Sequence, residues 1–124
     1  MAHLEDLRRI AETLPEAAVG ENGQGQLHVT FRGKGLAWTW LERVEPKRAR
    51  VPNTDVLAVR TPSEEQKHEL IAEAPEVFFT EPHYDGYPAV LVRLAAIDPD
   101  ELRELVTDAW RLRAPKRLQK EAGL

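Results

Sequence analysis

The chain has no cysteine and a single serine, Ser63. Without thiols there can be no disulfide, no thiol nucleophile and no cysteine-held zinc or iron–sulfur centre. Ser63 lies in "TPSEE", which reads as a helix start with Thr61 as cap, Pro62 at the first helical position and Glu64 closing a capping box. No G-x-S-x-G surrounds it, so nucleophilic catalysis by this serine is not expected and no catalytic residue is assigned. No apolar run approaches the roughly 20 residues that cross a bilayer. The start "MAHLEDLRRIAETL" is acidic and amphipathic and lacks the apolar centre of a signal peptide. A cytoplasmic protein with no membrane partner is therefore expected. The glycines of "GENGQGQ" (20–26) are followed by a strand pattern rather than a helix, so they form a connection and not a phosphate cradle.

What is present describes one domain over residues 1–124. Hydrophobic residues make up 42% and charged residues 31%, the balance of a globular chain that can bury one core. The net charge of −4 is unevenly spread. "RVEPKRAR" (43–50) carries +3 and "RLRAPKRLQK" (111–120) carries +5, which leaves −12 for the remainder. A charge run is commonly only a solvated face, but local potential can guide a polyanion to an acidic protein.

Leu4, Leu7, Ile10, Ala11 and Leu14 recur at helical spacing over residues 3–14, before Pro15. "QLHVTF" and "LAWTWLER" alternate around "RGKG" and form a hairpin, with Leu36, Trp38 and Trp40 expected on one face. A long basic loop, 44–54, precedes a strand over 55–60. A helix over 62–74 follows, with Leu70, Ile71 and Ala74 inward, and then strands at 77–80 and 89–94. Asp98 caps a last helix with Pro99 at its first position and Glu101 completing a capping box; Pro115 ends it within the basic tail. The fold class is α+β: an antiparallel sheet of about five strands with helices on one face, in the order α-β-β-β-α-β-β-α.

The segments "DVLAVR" (55–60), "VFFTEPHYDGYPAVLVRL" (77–94) and "DAWRLRAPKRL" (108–118) resemble the YjbR/MmcQ-like family of bacterial proteins. "LP" at Leu14–Pro15 and "FRGKGLAW" (31–38) add to the likeness. The resemblance implies a CyaY-like, frataxin-related fold and the family's customary label of predicted DNA-binding protein. The Gly/Gln-rich segment after the first helix and the long basic loop depart from the family pattern.

The segment "HYDGYP" (83–88) has two readings. Asp85–Gly86 is a strong turn dipeptide, and Pro82 and Pro88 restrict the backbone on either side, so it can be only the reversal between two strands. Alternatively His83, Tyr84, Asp85 and Tyr87 form a recognition surface, with aromatic faces for stacking and an imidazole that can donate or accept. His83 and Asp85 alone cannot complete a metal site, so no metal and no cofactor is assigned. Lys47, Arg48 and Arg50 in the loop, with Arg113, Lys116 and Arg117 at the end of the last helix, are the candidate phosphate contacts. The first expectation is a non-enzymatic binding module for DNA, which requires the two basic segments to meet. The alternative is a protein- or small-ligand-binding adaptor using the 83–88 surface. A cryptic enzyme or metal protein is the third.

Overall fold

A computed structural model describes residues 1–21 and 26–124. The helices are α1 (Leu4–Glu12), α2 (Glu64–Glu73), α3 (Pro99–Arg113) and α4 (Lys116–Ala122). The strands are β1 (Ala17–Glu21), β2 (Leu27–Phe31), β3 (Lys34–Glu42), β4 (Val51–Arg60), β5 (Phe78–Phe79) and β6 (Ala89–Arg93). They form one open sheet in the order β1-β2-β3-β4-β6-β5, every pairing antiparallel. The α+β class stands as expected. Two elements are additional: β1, a short edge strand that already includes Gly20 and Glu21 of the expected connection, and α4 beyond Pro115. The rest of that connection, 22–25, lies outside the described residues.

The hairpin between β2 and β3 turns on Arg32 and Gly33, whose φ values of 49° and 84° are those of a type I′ turn. Glu16 fixes the turn from outside by accepting from Arg32 Nε and Nη2, each at 3.0 Å. Helix α2 starts at Ser63, not at Thr61 as expected. The Ser63 hydroxyl accepts from the Gln66 amide, whereas buried Thr61 donates its own hydroxyl proton to the Ser63 carbonyl. At α3 the expected cap holds, with Asp98 accepting from the Asp100 amide.

Leu7, Ile10 and Ala11 of α1, with Leu102, Val106, Ala109 and Trp110 of α3, pack on Leu27, Val29, Phe31, Leu57, Val59, Val90 and Val92 of the sheet. Trp110 is fully buried, meets Phe31 edge-on and donates from Nε1 to the Pro15 carbonyl at 2.9 Å. A second cluster, to which no α-helix contributes, covers the opposite face of the sheet: Val56, Ala58, Tyr84, Ala89 and Leu91, with Trp38, Trp40 and Phe79 against them.

Leu36 does not share a face with the two tryptophans. Val29 pairs with Ala37 but Thr30 pairs with Gly35, so β3 carries one extra residue at Leu36. Such a bulge inverts the alternation beyond it. Leu36 therefore enters the helix-side core, while Trp38 and Trp40 emerge on the other face.

Candidate functional site

The 83–88 segment joins β5 to β6, and its polar residues are built by local geometry. Pro82–Tyr84 form one 3-10 turn, and Tyr84–Tyr87 then close a type II turn. Asp85 has φ −63° and ψ 128°, Gly86 has φ +79°, and the Tyr87 amide donates to the Tyr84 carbonyl at 3.1 Å. The chain-reversal reading thus describes the backbone. The side chains do more.

Tyr84 is buried over the second cluster, and its hydroxyl accepts from Trp38 Nε1 at 3.0 Å. Tyr87 is 42% exposed and stands edge-on to both Trp38 and Tyr84, with ring centroids at 6.4 and 6.1 Å. Arg60 holds Tyr87 from outside: Nη1 donates to the hydroxyl at 3.1 Å and the guanidinium lies 5.2 Å from the ring centroid. His83 is exposed and edge-on to Tyr84. Asp85 is exposed and is not in the cavity lining.

The turn is anchored from below by a residue that sequence reasoning did not single out. Lys67 of α2 is 0% exposed, and its ammonium donates to the Tyr84 carbonyl at 2.6 Å, the Tyr87 carbonyl at 3.0 Å and Glu64 Oε1 at 3.0 Å. Three acceptors satisfy the three N–H bonds of the ammonium, the condition under which a buried charge is tolerated. The hydrogen bond from Lys67 lowers the Glu64 pKa below its ordinary 4.5, and His68 adds to the effect.

Above this turn lies a cavity of about 460 Å³ bounded by Gln26, Trp38, Leu41, Arg50, His83, Tyr84 and Tyr87. Arg50 is positioned by the carbonyl of Leu41, to which Nη1 donates at 2.8 Å, with Glu81 3.7 Å from the same nitrogen. Burial pushes the Tyr84 phenol above its ordinary pKa of 10.0; the bond from Trp38 opposes the shift, while Glu81 and Tyr87 reinforce it. The hydroxyl therefore stays protonated at neutral pH. A second cavity of about 400 Å³ lies between α2 and α3, but Glu69, Glu73 and Asp108 are in its walls.

Of the expected residues, the structure gathers His83, Tyr84, Tyr87 and Arg50 at one site. It does not join the two basic segments. Arg117 borders a cleft with Arg32 and Glu16 at the turn that starts β3, whereas 43–50 follows the far end of that strand. Nine strand residues span on the order of 25 Å at about 3.3 Å per residue. Carboxylates also engage several of these cations: Arg48 meets Glu45 at 2.8 Å, Arg111 meets Asp108 at 2.6 Å and Arg117 meets Glu121 at 3.2 Å. Lys47 and Lys116 are exposed, and Arg113 is half-buried with Nε unbonded. Trp40 is not in the cavity lining; it packs edge-on against Phe79, over which the guanidinium of Arg93 also lies at 4.1 Å. Among the described residues no three histidines or carboxylates gather as metal ligands, and no helix is long and apolar enough to cross a membrane.

Fold and site together define an α+β domain with an open six-stranded antiparallel sheet, helices on one face and an aromatic cavity on the other. The same fold occurs in the crystal structure of Deinococcus radiodurans protein DR2400, which carries a DUF419 domain. It superposes with a TM-score of 0.69 over the whole of this chain and 90% of that one, at 20% identity. The YjbR family model matches residues 12–112, and the chain belongs to the YjbR family. Among its relatives are "Uncharacterized protein Rv2570" of Mycobacterium tuberculosis (strain ATCC 25618 / H37Rv) and "Uncharacterized protein Mb2600" of Mycobacterium bovis. Each is 43% identical over 124 aligned residues, covering 95% of this chain and 93% of the relative.

Proposed function

We propose that this YjbR protein is a non-enzymatic binding module whose small-molecule ligand enters the cavity between Trp38, Arg50 and the 83–87 turn. The observation that carries this is the double anchoring of Tyr84: its hydroxyl is fixed by Trp38 and its carbonyl by Lys67. Walls held in place before a ligand arrives lose little freedom when it binds, which is how a small site gains affinity. The 83–88 segment is then both a turn and a wall.

Nitrogen-15 correlation spectra recorded with a set of aromatic and aliphatic fragments test the proposal. Binders should shift the indole N–H of Trp38 and the amides of 83–87 together, and Tyr87→Ala should weaken them. Shifts scattered over the surface, with none centred on the cavity, would remove it.

Duplex DNA is the second partner considered, favoured by Lys47, Lys116 and Lys120, which are exposed and have no carboxylate partner among the described residues. With the two segments a strand length apart, each would contact phosphate separately. A cytoplasmic location, expected from the composition, and a CyaY-like grouping, implied by the resemblance, belong to this same reading.

A further inference from the structure

We infer that the ligand of this cavity is a small flat aromatic molecule bearing one oxyanion, its ring against Trp38 and Tyr87 and its oxyanion on Arg50 and Tyr84. The inference rests on the cavity being a binding site and adds the chemistry of what it takes.

Hydrogen-bond polarity is the first argument. The Tyr84 hydroxyl accepts from Trp38 Nε1, which leaves its own proton free to donate to a ligand. Arg50 commits Nη1 to the Leu41 carbonyl, and the 3.7 Å approach of Glu81 is to that same nitrogen. Nε and Nη2 carry no hydrogen bond to the described residues. The arginine and the tyrosine therefore both present donors, and a guanidinium edge suits the two oxygens of a carboxylate or phosphate. An ammonium ligand would meet the like charge of Arg50 and no carboxylate among the described lining residues.

Charge points the same way. The chain is net negative, and the cavities along α2 and α3 are walled by Glu69, Glu73, Glu101, Glu104 and Asp108. Among the described residues no aspartate or glutamate borders the cavity under Trp38, and Arg50 does, with Glu81 behind it at 3.7 Å. Its side chain is only 22% exposed, so solvent screens it less than a surface arginine, and Glu81 offsets part of its charge from the Nη1 side alone.

Shape supplies the flat body. Trp38, Tyr84 and Tyr87 meet edge-on at interplanar angles of 65° and 79°, forming a corner of aromatic surfaces with Leu41 beside it. A planar ring lying along one wall contacts a second edge-on, the geometry aromatic groups prefer. An apolar cavity of about 150 Å³ is enough for benzene. About 460 Å³ holds a one- or two-ring body with a short acidic arm.

The test titrates the full chain with indole-3-acetate, indole-3-acetamide and tryptamine, reading the Trp38 indole N–H in nitrogen-15 spectra. The acid should bind roughly tenfold more tightly than the amide, the scale of a charge-assisted bond, and tryptamine more weakly still. Arg50→Gln and Tyr84→Phe should each weaken the acid more than the amide, so that the gap between them narrows in either variant. Benzoate against phenyl phosphate then distinguishes a carboxylate ligand from a phosphate one. Acid and amide binding equally to the wild type would overturn the oxyanion inference and leave the cavity proposal standing. Failure of every probe to move the cavity resonances would overturn both.

Discussion

Lys67, which exposes no surface, donates from its ammonium to the main-chain carbonyl of Tyr84 at 2.6 Å, and Tyr84 in turn receives the indole N–H of Trp38 at 3.0 Å. A charge inside α2 thus fixes a turn 17 residues later in the chain, and that turn fixes a tryptophan on β3. The cavity depends on this relay of two hydrogen bonds.

Replacing the lysine tests the relay most directly. Lys67→Met keeps the apolar stem but leaves the carbonyls of Tyr84 and Tyr87 without their donor. Each buried acceptor left open costs about 1–3 kcal/mol, so a loss of about 2–4 kcal/mol is expected in urea denaturation. The near-ultraviolet circular dichroism of the native variant should change too, since Trp38 and Tyr84 lose their fixed geometry. An unchanged denaturation midpoint would show that water or another donor takes the place of Lys67.

The two titrating groups of the relay give opposite pH signatures. The Glu64 pKa is lowered in the folded chain, so its contribution is complete above the ordinary 4.5 and is lost as pH falls through the folded value. Glu64→Gln should flatten the acid limb of a stability–pH curve. The Tyr84 pKa is raised by burial, so its contribution is complete below the ordinary 10.0 and is lost as pH rises through the folded value. Tyr84→Phe should flatten the alkaline limb and, by leaving Trp38 Nε1 without an acceptor, cost about 1 kcal/mol at neutral pH. Denaturation midpoints across the pH range, with ultraviolet difference titration of the phenol, would check both.

The separation of the basic segments gives a prediction for DNA. If duplex is bound, Lys47→Glu and Lys116→Glu should weaken it additively, because residues well separated and sharing no partner act independently. With few unpaired cations in either segment, log affinity should fall with log salt at a slope shallower than about −3. A steeper slope, or strong coupling between the two substitutions in a fluorescence-anisotropy titration, would mean that both segments engage one stretch of duplex.

The elements with strong periodicity were readable in one dimension. Leu7 and Ile10 in α1, Leu27, Val29 and Phe31 in β2, and Leu102, Val106 and Trp110 in α3 are buried where the spacing placed them. The Asp85–Gly86 turn was readable because its φ values are set by the two residues themselves. Strand β1 was not. It is five residues at a sheet edge, half-buried and containing a glycine, so its own residues carry little strand signal and its pairing with β2 defines it. Helix α4 has Leu118 as its one residue against the core, too little for a periodic signal.

The candidate site was legible in part. His83, Tyr84 and Tyr87 stand out by type, but Arg50 reads as a phosphate contact in one dimension and borders an aromatic cavity in three. Trp38 was placed with Leu36, and the bulge that separates them is a mismatch between β2 and β3 that neither strand shows alone. Lys67 gave no signal at all, since a lysine between Gln66 and His68 reads as solvated surface.

Residue type and neighbours a few positions away set where the periodic helices and strands lie, where the chain must turn, and that cysteine chemistry is missing. Long-range packing set which face Trp38 takes, what Lys67 holds, and that Arg117 sits at the start of β3 while 43–50 follows its end. Those outcomes depend on strand register and on the desolvation of a single charge, and both are fixed by contacts between residues distant along the chain.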